Sequence, residues 1–197
     1  FHGWHDHMAF GVSNHFDGTP SPGVLPELAG QVLLADPSDL TKVEQALVHD
    51  SDVAAVIVEP TGGGGGGTPL DPMFLHGLRD LTAKHGALLI FDEVVTGFRV
   101  SPGGAQALYG VRPDLTTLAK ILAGGLPGGA VGGRSEILAH LDFEWASEAG
   151  VEKIHHPGTF NANPVSAAAG TTALEIVADT DACQQAIDFG ALIRQRL

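Results

Sequence analysis

The sequence is poor in cysteine, in positive charge and in long apolar runs. Its single cysteine, Cys183, excludes an internal disulfide framework and favours a reducing, cytoplasmic location. Ten lysines and arginines stand against 23 aspartates and glutamates, which gives a net charge of −13. A surface this acidic repels phosphate groups, so neither nucleic acid nor an anionic membrane surface is an expected partner. Since no apolar run reaches about 18 residues, no membrane-spanning helix is predicted.

What the sequence does contain is a globular composition with alternating strand and helix signals. Of its 197 residues, 44% are hydrophobic, enough for a substantial core. Short apolar runs alternate with segments of helical spacing, which predicts an α/β fold with a mainly parallel sheet flanked by helices. The predicted strands are 31–35, 53–58, 88–91, 115–118 and 130–131. The predicted helices are 39–48, 71–84, 135–141, 164–178 and 181–197. Residues 103–109 are predicted to form a short helix or a turn, and residues 1–30 are predicted to be loop.

Charged residues follow two of the predicted strands. The run at 88–91 leads into Asp92 and Glu93, and Leu118-Ala119 leads into Lys120 and a glycine-rich loop. Open α/β sheets bind ligands at the carboxyl ends of their strands. A partly desolvated lysine can form a Schiff base, and a buried carboxylate needs a cationic partner. Pyridoxal phosphate requires both groups, although an ordinary surface lysine remains the alternative for Lys120.

The histidines near the start of the sequence raise the question of a metal site. His2, His5 and His7 alternate with other residues, and no cysteine lies near them. This spacing resembles no zinc-binding pattern, so these imidazoles are expected to be solvated and no metal site is predicted.

Several motifs resemble the class III aminotransferases, and among them the glutamate-1-semialdehyde 2,1-aminomutase-like enzymes. Three motifs carry the resemblance: Phe91–Arg99 (FDEVVTGFR), Pro113–Lys120 (PDLTTLAK) and Gly124–Pro127 (GGLP). Shorter matches occur in the order that the family shows: Phe1-His2-Gly3, Val58-Glu59-Pro60, His85–Leu89, Gly104-Ala105-Gln106 and Gly158-Thr159. The resemblance therefore covers most of the sequence.

The resemblance implies a role for five residues in binding pyridoxal 5'-phosphate. Lys120 would form the Schiff base with the cofactor and move the proton, and Asp92 would keep the pyridine nitrogen protonated. Val94 would pack on one face of the ring and Phe1 on the other. Thr159 would reach the phosphate in a neighbouring subunit, because these enzymes are homodimers with shared active sites. Ordinary packing is the alternative for Val94 and Phe1, and a turn position is the alternative for Thr159.

The resemblance also implies how much of an enzyme the sequence represents. Residues 1–197 correspond to part of the large, cofactor-binding domain of a fold-type I pyridoxal phosphate transferase. The family's phosphate loop and its small C-terminal domain would lie outside them, so the chain alone is expected to be inactive. The implied reaction is amino-group transfer on a small amino or keto substrate, as in the aminomutases. An omega-type transaminase and a non-catalytic domain that retains the fold are the alternatives.

Overall fold

The computed structural model describes residues 2–9, 17–62 and 69–197, which form two compact units, Phe1–Asp92 and Glu93–Leu197. Phe1 and most of the six-glycine run lie outside the described residues. The first unit contains α1 (Leu40–His49), β1 (Ala55–Val58), α2 (Pro72–His85) and β2 (Leu88–Asp92). The second contains α3 (Gly104–Tyr109), β3 (Leu115–Leu118), β4 (Ala130–Gly133), α4 (Ser135–Leu138), α5 (Phe143–Ala149), α6 (Pro164–Asp179) and α7 (Ala182–Arg196).

The first unit is a parallel strand pair packed with two helices. β1 and β2 run parallel, with Ala55 opposite Leu88 and Val58 opposite Phe91. Helix α2 connects the two strands and packs against α1. The core of this unit is apolar and is formed by Val43, Leu47, Phe74, Leu75, Leu78, Leu89 and Phe91. Full burial of a side chain of this size stabilises a fold by roughly 1.5–3 kcal/mol.

The two ends of α2 are fixed by local signals, and its C-terminal end determines where β2 begins. Asp71 caps the helix by accepting a hydrogen bond from the backbone N–H of Met73 at 2.8 Å, and Pro72 occupies the first helical position. Gly86 ends the helix with φ of +74°, a left-handed conformation that glycine adopts without strain. The chain therefore turns sharply from α2 into β2.

The second unit contains an antiparallel strand pair and most of the helices. Leu115 of β3 lies opposite Gly133 of β4, and Leu118 lies opposite Ala130. The 3-10 turn Lys120–Ala123 leaves β3 and packs against α6. The pairing of β1 with β2 is parallel and that of β3 with β4 is antiparallel, so the fold contains both kinds of strand pairing. Within the described part of the chain, no helix combines the length and apolar character that crossing a bilayer requires.

Most predicted elements appear within a few residues of their predicted bounds, with two corrections. The predicted strand at 31–35 is wrong: Gln31 ends the 3-10 helix Pro26–Gln31, and the next four residues have no regular structure. Leu33 is more than half exposed, so no described element covers its side chain. The helix predicted at 135–141 is shorter than expected, because α4 passes into the 3-10 turn Ala139–Leu141.

Candidate functional site

Asp92 is a buried carboxylate at the carboxyl end of β2. Only 6% of its side chain is exposed, and its Oδ2 lies 2.8 Å from Nδ1 of His2. A carboxylate can only accept a hydrogen bond, so Nδ1 of His2 is the donor in this pair. The expectation that the N-terminal imidazoles are solvated is therefore wrong for His2, whose side chain is 23% exposed. The pair joins residues 90 positions apart.

Lys120 follows β3 and begins a 3-10 turn. Its side chain is exposed, and its backbone has φ of +51°. This left-handed conformation costs a residue with a Cβ about 1 kcal/mol or more. Such strain persists only where the surrounding structure imposes it. The turn therefore holds the backbone of Lys120 in a conformation that a residue with a Cβ rarely adopts.

Helix α6 supplies the surroundings that impose this turn. A Cβ added to Gly124 would collide with the carbonyl group of Ala169, and one added to Gly170 would collide with the carbonyl oxygen of Leu122. The Ser166 hydroxyl also donates a hydrogen bond to the carbonyl oxygen of Pro127 at 2.8 Å. The glycines of this loop thus allow close contact between backbones, which fixes the segment after Lys120 against the helix.

The other predicted site residues differ in how the structure places them. Val94 is half-buried in the turn formed by residues 94–100, directly after β2. Thr159 is exposed in the turn that precedes α6. Phe1 lies outside the described residues. Asp92 belongs to the first unit, whereas Val94, Lys120 and Thr159 belong to the second.

Glu93 directly follows Asp92 in the sequence and is buried, with only 1% of its side chain exposed. Its Oε2 accepts hydrogen bonds from the Thr96 hydroxyl at 2.9 Å and from the backbone N–H of Ala105 at 2.5 Å. Its Oε1 accepts from the backbone N–H of Gln106 at 3.1 Å and from the Gln106 side chain at 3.2 Å. The carboxylate thus caps α3 from a distance, a contact that the sequence spacing does not reveal.

The chemistry of these side chains fits pyridoxal phosphate. An exposed primary amine, Lys120, is the group that an aldehyde requires. The carboxylate of Asp92 suits a protonated ring nitrogen, since burial and a fixed imidazole donor hold it in place. Val94 offers an apolar side chain that is still partly accessible.

Comparison with protein families gives one match that covers most of the chain, to the class III aminotransferases over residues 24–197. Glutamate-1-semialdehyde 2,1-aminomutase 2 of Brevibacillus brevis is 45% identical over 178 residues, which are 90% of this chain and 40% of that protein. Glutamate-1-semialdehyde 2,1-aminomutase of Desulforamulus reducens is 47% identical and covers 89% of this chain and 40% of that protein. The chain thus spans about two fifths of the length of these curated relatives.

Solved structures give the same assignment. An omega-transaminase from Sphaerobacter thermophilus superimposes with a TM-score of 0.75 at 36% identity, over 89% of this chain and 41% of that one. A transaminase with PLP bound gives a TM-score of 0.76 at 30% identity, with the same coverage of each chain. These similarities confirm the predicted α/β fold of a fold-type I pyridoxal phosphate transferase. With both sequence and fold in agreement, the chain belongs to the class III aminotransferases.

Proposed function

We propose that this protein is a pyridoxal phosphate-dependent enzyme that moves amino groups, with a reaction like that of the glutamate-1-semialdehyde 2,1-aminomutases. The observation that carries the proposal is Lys120, an exposed amine at the end of β3 whose strained backbone is fixed by α6. Functional sites are where such strain is commonly found. The aminomutases at 45% and 47% identity support the reaction class.

Each site residue has a defined task in this proposal. When bound, pyridoxal phosphate supplies an aldehyde to which amines add and a ring that takes up electrons. Lys120 would hold the aldehyde covalently until the substrate amine displaces it. The freed Nζ would then take the proton from the α-carbon of the substrate and return it to the aldehyde carbon of the cofactor. Asp92 would accept a hydrogen bond from the ring nitrogen, while His2 fixes the carboxylate. Val94 and Phe1 would pack on the two faces of the ring.

The proposal extends to the assembly and its substrates. Small amino or keto compounds are the substrates, and two copies of the protein form a homodimer in the cytoplasm. In this dimer Thr159 binds the phosphate of the cofactor held by the other subunit. Exposure of Thr159 in the turn before α6 supports this role, because the hydroxyl is accessible to a partner.

Trapping of the covalent bond tests the cofactor part of the proposal. The full-length protein is incubated with pyridoxal phosphate, reduced with borohydride and digested, and the modified lysine is identified by mass spectrometry. We expect the label on Lys120 and its loss in Lys120→Ala. Lys153→Ala is the matched control, since Lys153 lies in the same unit and contacts only the backbone carbonyl of Ile154 in the hydrogen bonds described. Absence of the label, or a label spread evenly over the lysines, would support the non-catalytic alternative.

Substrate assays distinguish the two enzymatic candidates. An aminomutase converts glutamate-1-semialdehyde without a second substrate, whereas a transaminase requires an amine donor and a keto acceptor. The omega-transaminase from Sphaerobacter thermophilus is the structural neighbour that favours the second candidate. With the full-length protein we expect turnover of glutamate-1-semialdehyde alone, because the aminomutases share more of the sequence. Turnover only with an amine donor and a keto acceptor would assign the protein to the transaminases.

A further inference from the structure

Glu93 is a buried titratable residue for which the proposed reaction has no use. It follows the proposed pyridine partner Asp92 directly, yet the four hydrogen bonds of its carboxylate are with Thr96, Ala105 and Gln106. We propose that Glu93 is a positioning residue, whose carboxylate fixes the turn that carries Val94 to the strand that leads to Lys120. This inference rests on the proposed function.

The first step of the argument is the link between Glu93 and β3. The backbone N–H of Glu93 donates to the carbonyl oxygen of Thr117 at 3.0 Å. The Gln106 side chain bridges Oε1 of Glu93, at 3.2 Å, and the hydroxyl of Thr116, at 3.3 Å. Two neighbouring residues of β3 are therefore tied to Glu93, and the strand ends only two residues before Lys120. A shift of Glu93 is transmitted along this strand to the lysine.

The second step is the link between Glu93 and the turn that carries Val94. The Thr96 hydroxyl donates to the carboxylate, and the backbone N–H of Gly97 donates to the Glu93 carbonyl oxygen at 2.9 Å. A Cβ on Gly97 would lie 2.6 Å from Cδ2 of Leu118 and 2.8 Å from that carbonyl oxygen. The turn is thus packed directly on the end of β3, so that Val94 and the strand cannot move independently.

The third step is that the surroundings of the Glu93 carboxylate accept no other side chain without a change in structure. All four contacts of the carboxylate oxygens are with donors, and a Cβ on Gly104 would collide with the carboxylate itself. An amide in place of the carboxylate would direct an N–H group at another donor. A buried donor without an acceptor is costly, so the turn or α3 has to shift. The site residues themselves would remain present but displaced.

Three variants of the full-length protein test the inference. Glu93→Gln keeps the size of the side chain and removes an acceptor. Thr116→Val removes the hydroxyl through which Gln106 reaches β3, and Thr116→Ser is its matched control because it keeps that hydroxyl. Circular dichroism establishes folding, and borohydride trapping establishes that Lys120 still binds pyridoxal phosphate. The readouts are the pH midpoint of the absorbance change of the bound cofactor, and kcat and KM separately.

We expect Glu93→Gln and Thr116→Val to shift the pH midpoint and to lower kcat by roughly 10- to 100-fold with a much smaller change in KM, because a displacement of about 1 Å can cost about 100-fold in rate. Thr116→Ser should retain the wild-type midpoint. Folded Glu93→Gln and Thr116→Val proteins with wild-type midpoints and kcat would overturn the inference. If Glu93→Gln does not fold, the Thr116 pair decides alone. Failure of trapping in the wild-type protein would instead overturn the proposed function.

Discussion

Nδ1 of His2 donates a hydrogen bond to Oδ2 of Asp92 across 2.8 Å, which joins the start of the chain to the end of β2. The carboxylate is almost completely buried, so an imidazole donor compensates part of the cost of removing it from water. The contact also fixes the orientation of the carboxylate. His2 therefore belongs to the proposed cofactor site although it need not touch the cofactor.

Replacement of His2 tests this relationship. Without the imidazole, Asp92 loses a donor and its orientation, so His2→Ala should weaken the binding of pyridoxal phosphate by about tenfold, which corresponds to about 1.4 kcal/mol. His2→Asn should restore much of the affinity, because its amide N–H lies close to the position of Nδ1. The measurement is a spectroscopic titration with the cofactor.

His7→Ala is the matched control for the His2 variants. His7 is an exposed imidazole in the 3-10 turn Asp6–Met8, and its removal should leave the affinity unchanged. An equal loss of cofactor affinity in His2→Ala and His7→Ala would contradict a specific role of His2.

Elements with strong local signals could be predicted from the sequence, and elements that depend on distant packing could not. The cap of α2 at Asp71, its end at Gly86 and the cap of α6 at Asn163 follow from side-chain chemistry close by in the sequence. The apolar run at 31–35 shows the opposite case, since a strand needs a partner and none of the described strands pairs with it. Helix α5 was also not predicted, although Asp142 caps it.

The same distinction between local signals and distant contacts applies to the candidate site. Asp92 and Lys120 could be proposed as site residues because each lies at or just after the end of an apolar strand, and the family motifs supported them. The partners of these residues could not be identified, because His2 meets Asp92 from 90 positions away. The role of Glu93 depends on α3, which begins more than ten residues later. Long-range contacts of this kind have no signature in spacing or composition.

Substitution of Lys120 tests the strain in the turn independently of any activity. Since its φ is +51°, glycine suits the position better than alanine does. We expect Lys120→Gly to have a higher free energy of unfolding than Lys120→Ala, by about 1 kcal/mol in urea denaturation. The same two substitutions at Lys153, whose φ is not positive, should give the opposite order. The same order at both positions would contradict a strained conformation at Lys120.

The ion pair between α1 and α2 predicts a pH dependence of stability. Lys84 lies 2.6 Å from Glu44, and its hydrogen bond and charge lower the pKa of Glu44 below the ordinary value of 4.5. The folded state therefore resists protonation of Glu44 more than the unfolded state does. This contribution is present above the unfolded pKa and is lost as the pH falls through the lower folded pKa. Glu44→Gln should thus reduce the free energy of unfolding at pH 7.

The loss of stability caused by Glu44→Gln should disappear once the pH is below the lowered folded pKa of Glu44, because Glu44 is then protonated in both states. Lys84→Met should produce the same pH dependence. The double variant should have the same free energy of unfolding as each single variant, within experimental error. High salt should weaken the effect, since both side chains are exposed. Full additivity of the two substitutions at pH 7 would show that the ion pair contributes nothing.

A glycine of α6 tests whether this helix holds the turn after Lys120, and a glycine of α7 provides the comparison. A Cβ at Gly170 of α6 would collide with the carbonyl oxygen of Leu122, so Gly170→Ala should separate the helix from the turn and destabilise the protein by about 1–3 kcal/mol. A Cβ at Gly190 of α7 would meet only the Arg194 side chain, at an ordinary 3.7 Å. Gly190→Ala should therefore stabilise the protein by about 0.5–1 kcal/mol, the usual gain in a helix interior. Urea denaturation of both variants makes the comparison, and a gain of stability in Gly170→Ala would show that the turn does not rest on α6.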